Sequence, residues 1–265
     1  VVSLEHVPNH SLKWVLAKFP PSMSKMGLGI TIFLSFKSLV LFVVFLFLHS
    51  HNFTISSFSF LYASLIFLSV SIASHPHINF PSLLGKKPDG TFPLWSIVIF
   101  SPYLYFARIF SSLRRHAIGE DPFTEISPGI YVGGWPHSVA KLPSGNPAIV
   151  DCTCELPRKT EFKGCSYLCF PTWDTRSPRP DEIESAVKWV AGKRDQGTPV
   201  FVHCAYGHGR SVAVACAAMV AIGAAEDWKM AEKMIGEKRP SISMNSLHRK
   251  ALDEWSKLTI YSPKN

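Results

Sequence analysis

Nine consecutive residues, His203-Cys204-Ala205-Tyr206-Gly207-His208-Gly209-Arg210-Ser211, combine a thiol, two glycines and a guanidinium. A cysteine attacks only as its thiolate, and both a helix N-terminus and a nearby arginine lower its pKa. A glycine-containing loop running into a helix turns successive backbone N–H groups inward and makes an anion cradle. Arg210 adds a planar fork that can hold two phosphate oxygens at once. Cys204 and Arg210 stand six positions apart around the loop, so both can face one bound anion. Ala205, Tyr206, Gly207, His208, Gly209 and Arg210 are thus the expected phosphate-binding loop, with Cys204 the group that attacks a phosphate monoester. A buried cysteine beside a helix cap would explain neither Arg210 nor the paired glycines.

Such a loop needs a strand to deliver the cysteine and a helix to receive the arginine. Pro199 to His203 (PVFVH) is a short, nearly continuous apolar run of the kind buried on both faces of a sheet. Ser211 to Gly223 reads as an alanine- and valine-rich helix, apolar enough to be central. Ile126 to Gly134 holds a short strand ending in glycines, and Ala148 to Thr153 and Ser166 to Phe170 read as further strands. Pro180 to Arg194 has helical spacing, with a proline and acids at its start. Trp228 to Lys238 and Asn245 to Leu258 complete a helical C-terminal part. Strands alternating with helices predict an α/β domain with a central, mostly parallel sheet flanked by helices.

The front of the chain is different. Between Met26 and Ala73 the only formal charge is Lys37. Leu28 to Leu48 is long enough to cross roughly 30 Å of hydrocarbon. Lys37 near its centre costs about 2.5–3.5 kcal/mol on the insertion scale, and its leucine, isoleucine, valine and phenylalanine neighbours, at about −0.3 to −0.6 each, outweigh it. Phe53 to Ala73 is a second uncharged run, diluted by six serines. The two predict a transmembrane helical hairpin over 28–48 and 53–73, after an N-terminal tail over 1–27. The run is too long for the apolar core of a signal peptide. The chain begins with Val1, which leaves room for a longer N-terminus. Residues 94–110, interrupted by Pro102, are expected to form an interfacial or re-entrant segment in preference to a third crossing. Two crossings put Lys13, Lys18 and Lys25 on the cytosolic side with Lys86 and Lys87, and the soluble part, 118–265, would face the cytosol as well. A reduced compartment suits six cysteines without a CxxC pair. No Cys/His set has metal-ligand spacing, so neither metal nor other cofactor is expected. The net charge of +8 comes without a base-reading motif, which argues against nucleic acid.

The run His203-Cys204-x5-Arg210-Ser211 resembles the signature of the protein tyrosine phosphatase superfamily, and the compact domain over 118–265 resembles its dual-specificity branch. Ile126 to Pro136 (ISPGIYVGGWP) and Lys238 to Leu247 (KRPSISMNSL) carry further parts of the likeness. The resemblance implies a cysteine-phosphatase type of fold and an aspartate, some thirty residues before the cysteine, that protonates the leaving oxygen. Asp174 fits that place; Asp181 is its nearest rival but reads better as a helix cap. It also implies that Ser211 assists departure of the thiolate and that Asn245 braces the active-site loop. His203 is expected to orient the loop and tune Cys204 by hydrogen bonding. His208 reads equally as a phosphate contact and as a solvent-facing loop residue. Cys152 and Cys154 are expected to be packing residues rather than a redox partner for Cys204.

The function expected from all this is a membrane-anchored phosphatase acting through a phosphocysteine, with phosphotyrosine and phosphoserine/threonine proteins as substrates. A phospholipid or phosphoinositide headgroup is the alternative substrate. A non-catalytic phosphate-binding membrane scaffold is the alternative function, and a sulfur-transfer or arsenate-reducing enzyme a weaker one.

Overall fold

The computed structural model describes residues 28–261; the N-terminal tail expected over 1–27, with Lys13, Lys18 and Lys25, lies outside them. Two long helices come first, α1 (Gly29–Ser50) and α2 (Thr54–Ala73). They pair as a hairpin, and two of the serines that dilute the second run, Ser64 and Ser71, lie on the seam. Thr31 and Ser74 hydroxyls meet at 3.2 Å, Ser35 and Ser71 at 2.7 Å, and Ser38 and Ser64 at 3.2 Å. Small hydroxylated residues let two helix backbones approach closely and hydrogen-bond across the interface. Residues 94–110, read from sequence as one segment, belong to two helices, α3 (Leu94–Ile99) and α4 (Ser101–Ile118), broken at Phe100 before Pro102. Proline at the second position of α4 lacks the N–H that would continue the ladder. The Tyr62 hydroxyl donates to the carbonyls of Val98 and Ile99 at this break, at 3.1 and 2.7 Å.

The remaining chain is the α/β domain expected from the sequence. Five strands, β1 (Phe123–Ser127), β2 (Ile130–Gly134), β3 (Ala148–Asp151), β4 (Tyr167–Cys169) and β5 (Val200–Cys204), form one sheet in the order β1-β2-β5-β3-β4. Only the β1–β2 pair is antiparallel. Sequence reading found a single strand in Ile126 to Gly134. The structure splits this region into a hairpin turning at Pro128-Gly129, with Gly129 at φ +70° and its N–H donating to Glu125 Oε1 at 2.8 Å. β1 escaped notice because it lies at the sheet edge and carries polar residues, Thr124 and Glu125, in place of an apolar run. Helices α5 (Pro180–Asp195), α6 (Arg210–Ala221), α7 (Trp228–Lys238) and α8 (Ser246–Tyr261) follow. Helix α6 is buried from Arg210 to Met219 and packs on β2 and β5, with α5, α7 and α8 around it. Asp181 does not cap α5. The backbone N–H of Arg179 donates to Glu182 at 2.8 Å, while Asp181 makes an exposed ion pair with Arg179.

A second apolar core joins the helical front to this domain. It contains Leu34 of α1, Phe67 and Val70 of α2, Leu84 of the connecting segment, Tyr103 and Leu104 of α4, and Cys154 and Trp173 of the domain. Lys86, read from sequence as a juxtamembrane positive charge, is buried: its ammonium donates to Asp151 at 2.5 Å and to the Thr153 carbonyl at 2.7 Å. Asp151 also accepts from Tyr167 at 2.6 Å. Burial pushes the Asp151 carboxyl up, but the Lys86 charge and these donors outweigh it and hold the group down at about 2. Its folded value lies below the ordinary carboxylate value, so the stability it contributes is present above about pH 4 and is lost as pH falls toward 2. Lys86→Met leaves a buried, unpaired carboxylate and is expected to cost about 3–5 kcal/mol, read as a lowered thermal midpoint of the full chain in detergent.

Candidate active site

β5 delivers Cys204 to the floor of a cavity, and Arg210 opens α6 directly beyond the loop. The Cys204 sulfur accepts from the Gly207 N–H and from the Ser211 hydroxyl, each at 3.3 Å. Burial alone would push this thiol up. The Arg210 charge, the Ser211 hydroxyl and the N–H groups of Ser211 and Tyr206 outweigh burial and hold Cys204 below the ordinary thiol value. The loop stays open because glycines meet glycines. Gly207 has φ +78°, and a Cβ on it would come 2.5 Å from the Gly133 carbonyl carbon. The paired glycines at the end of β2 are crowded from elsewhere: a Cβ on Gly133 would collide with the Pro122 carbonyl, and one on Gly134 would come 3.0 Å from the Ala205 carbonyl oxygen. Gly207→Ala must displace backbone at the cradle and is expected to lower kcat/KM by about 10²-fold, the scale for a misplacement of roughly 1 Å.

Arg210 is buried and held from several sides. Its guanidinium donates to both oxygens of Glu155 at 2.9 and 3.1 Å, to the Thr172 carbonyl at 2.8 Å and to Asp174 at 3.2 Å. Glu155 was not found by sequence reasoning. Its only signal was an acid immediately after the small, uncharged run that follows β3. Asp174 stands in the loop between β4 and α5, and its side chain is 37% exposed, open to the cavity. The loop is tied on three sides. Trp173 is fully buried in the second core, Arg176 donates to the Ser74 carbonyl at 2.6 Å, and Asn245 donates to the Thr175 carbonyl at 2.8 Å. Asn245 also accepts from the N–H groups of Leu247 and His248 and thereby caps α8. The loop that Asn245 touches is therefore the one carrying Asp174.

The loop carbonyls are gathered by a second buried arginine that sequence reading passed over. Arg239 donates to the carbonyls of Gly207 and Tyr206 at 3.2 and 3.1 Å, which leaves the amides on the other side of those peptides facing the cavity. His208 is paired with Glu120 at 2.6 Å, a partner neither sequence reading anticipated. His203 lies under the loop, its Nδ1 3.4 Å from the Cys204 carbonyl, and burial drives it down to about 4, so it is neutral at pH 7. Cys152 and Cys154 are fully buried, and burial pushes both thiols well above the ordinary value.

A strand-end thiolate, an amide cradle and a helix-start arginine on this sheet define the cysteine-phosphatase class. Residues 130–258 match the dual specificity phosphatase catalytic domain. No curated protein matches the chain. Among solved structures, it is similar to Tk-PTP in its active form at 20% identity, over 51% of this chain and 97% of that one, with a TM-score of 0.47. PTPMT1 aligns at 18% identity over 54% and 99% (TM-score 0.44), and human DUSP28 at 16% over 53% and 97% (TM-score 0.45).

Proposed function

We propose that this chain is a membrane-anchored phosphatase that cleaves phosphate monoesters through a phosphocysteine. The carrying observation is that Cys204, Arg210 and Asp174 all line one cavity, with the thiol in reach of two donors. The Cys204 thiolate attacks phosphorus as the P–O bond of the ester breaks, and Asp174 gives its proton to the departing oxygen. The loop amides and Arg210 hold the equatorial oxygens as charge develops. Water, losing a proton to Asp174, then attacks phosphorus; the P–S bond breaks, inorganic phosphate leaves, and the Ser211 hydroxyl receives the returning thiolate. Glu155 fixes the plane of the Arg210 fork and Arg239 the shape of the loop. The experiment is hydrolysis of an aryl phosphate by the reduced full chain without added metal. A well-folded, reduced chain that binds phosphate but shows no turnover would instead be the phosphate-binding scaffold.

The anchor rests on α1 and α2, which are the helices among the described residues long and apolar enough to cross a membrane. Phe36, Leu39 and Phe47 are more than half exposed, unlike the residues of a soluble core helix. The Gly29 end of α1 and the Ala73 end of α2 meet at the catalytic domain, so a hairpin that crosses twice returns to the side from which it started. We place that side in the cytosol, where the thiolate stays reduced. A tag fused after Asn265 is expected to be cut by protease only after the plasma or organellar membrane's cytosolic face is exposed.

A further inference from the structure

The cavity above Cys204, about 550 Å³, is not a cleft between loops of the catalytic domain alone. One whole wall comes from the helical front: Ile30, Phe33 and Leu34 from the first turns of α1, and Tyr103, Phe106 and Phe110 from α4. The aromatic rings are locked together, with Phe33 centred 5.9 Å from Phe106 and 5.6 Å from Phe110, and Phe67 of α2 5.4 Å from Phe106. The wall runs continuously into the phosphate cradle through α4, whose Ser111 and Arg114 also line the cavity. The Arg114 guanidinium lies 4.4 Å over the ring of Tyr206 in the loop. The same helices turn apolar side chains outward, Phe36 and Leu39 from α1 and Tyr105, Ile109 and Leu113 from α4. The cavity is therefore suited to an anion at its floor and apolar along the α1–α4 wall, two of whose rings, Phe33 and Phe106, also carry the Lys37 ammonium at 5.6 and 5.4 Å.

We infer that the substrate is a membrane lipid carrying a terminal phosphate monoester, its phosphate in the Cys204 loop and the start of its acyl chain along the α1–α4 wall. This assignment rests on the phosphatase reading above and narrows its substrate class. A phosphopeptide would lay peptide N–H and C=O groups against the aromatic wall, where unpaired polar groups are costly. A lipid puts hydrocarbon there. Hydrolysis consumes water and yields inorganic phosphate and the lipid alcohol.

The test uses the full chain in phosphatidylcholine nanodiscs, with phosphate release measured from oleoyl lysophosphatidate, sn-glycerol 3-phosphate, a phosphotyrosyl peptide and p-nitrophenyl phosphate. Each buried methylene is worth roughly a fourfold factor, so three to four of them on the wall give about a hundredfold higher kcat/KM for lysophosphatidate than for glycerol 3-phosphate. Ala107 lines the cavity beside Phe106 and Phe110. Ala107→Phe, which fills the groove, and Phe110→Ser, which removes its wall, are each expected to lower the ratio of lipid to aryl phosphate turnover by about tenfold. Partitioning of lipid into the disc is common to wild type and variants, so that ratio isolates the groove. Phosphopeptide turnover equal to or above that of the lipid, or a ratio unmoved in both variants, overturns the lipid assignment while leaving the phosphatase reading in place. Failure to hydrolyse any of the four, aryl phosphate included, overturns the phosphatase reading and this assignment with it.

Discussion

Cys204→Ser is expected to abolish phosphate release, by at least about 10⁴-fold, because removing the nucleophile of a covalent mechanism removes the whole pathway. Serine is close in size and keeps a donor and acceptor at the same place. The contacts that shape the loop do not depend on sulfur: Arg239 on the Gly207 and Tyr206 carbonyls, and Glu155 on Arg210. What changes is ionisation. The arginine charge, the hydroxyl and the amides around Cys204 hold a thiol below its ordinary value, but a hydroxyl starts many units higher and stays protonated. The variant should therefore still bind inorganic phosphate or tungstate, measured by calorimetry, while releasing none from an ester. Turnover surviving in Cys204→Ser would move the nucleophile elsewhere. Loss of anion binding together with turnover would mean that the loop had collapsed, and phosphate-protected thermal midpoints of wild type and variant would reveal it.

Asp174→Ala carries the second-largest effect, about 10²–10⁴ in kcat, the range that a positioned proton donor contributes. The loss should depend on the leaving group. An alkoxide needs the proton to depart, whereas p-nitrophenolate leaves without much help, so the deficit should be largest for alkyl esters and smallest for p-nitrophenyl phosphate. A uniform deficit across leaving groups would instead indicate that Asp174 only steadies Arg210, to which it lies 3.2 Å away. Asp181→Ala provides the control. Its carboxylate sits on the exposed start of α5, paired with Arg179, and its loss should leave turnover within about twofold, as for surface substitutions outside the site.

The position of Asp174 also bears on which part of the chain should be assayed. Its loop is fastened to the helical front by the burial of Trp173 among α1, α2 and α4 residues and by Arg176 on the Ser74 carbonyl. Lys86 of the connecting segment is paired inside the sheet domain. A domain cut at residue 118 would lose the residues packed on Trp173, the carbonyl that Arg176 donates to and, with Lys86 itself, the cation beside Asp151. The sheet domain and the helical front are therefore coupled at the loop carrying Asp174, and the full chain is the object to measure.

The sequence alone determined the features that are contiguous or periodic. The nine residues His203 to Ser211 could be read as a cradle because strand end, glycine loop and helix start follow one another without interruption. Leu28 to Leu48 was legible as one long apolar helix because the run is continuous and nearly uncharged, and the structure has a helix over Gly29–Ser50 there. Asp174 could be singled out because the resemblance implies an aspartate some thirty residues before the cysteine, and it is the acid on the loop between β4 and α5. What the tertiary structure decided are contacts between distant residues with no local signature. Glu155 meets Arg210 across 55 positions, Arg239 meets Gly207 across 32, Lys86 meets Asp151 across 65 and Arg176 meets Ser74 across 102. A lysine beside a membrane run looks the same in sequence whether it faces water or a buried carboxylate, and only the packing of the front against the sheet distinguishes the two. The apolar wall over Cys204 is of the same kind: Phe33 and Phe110 read as membrane residues until folding sets them above the phosphate cradle.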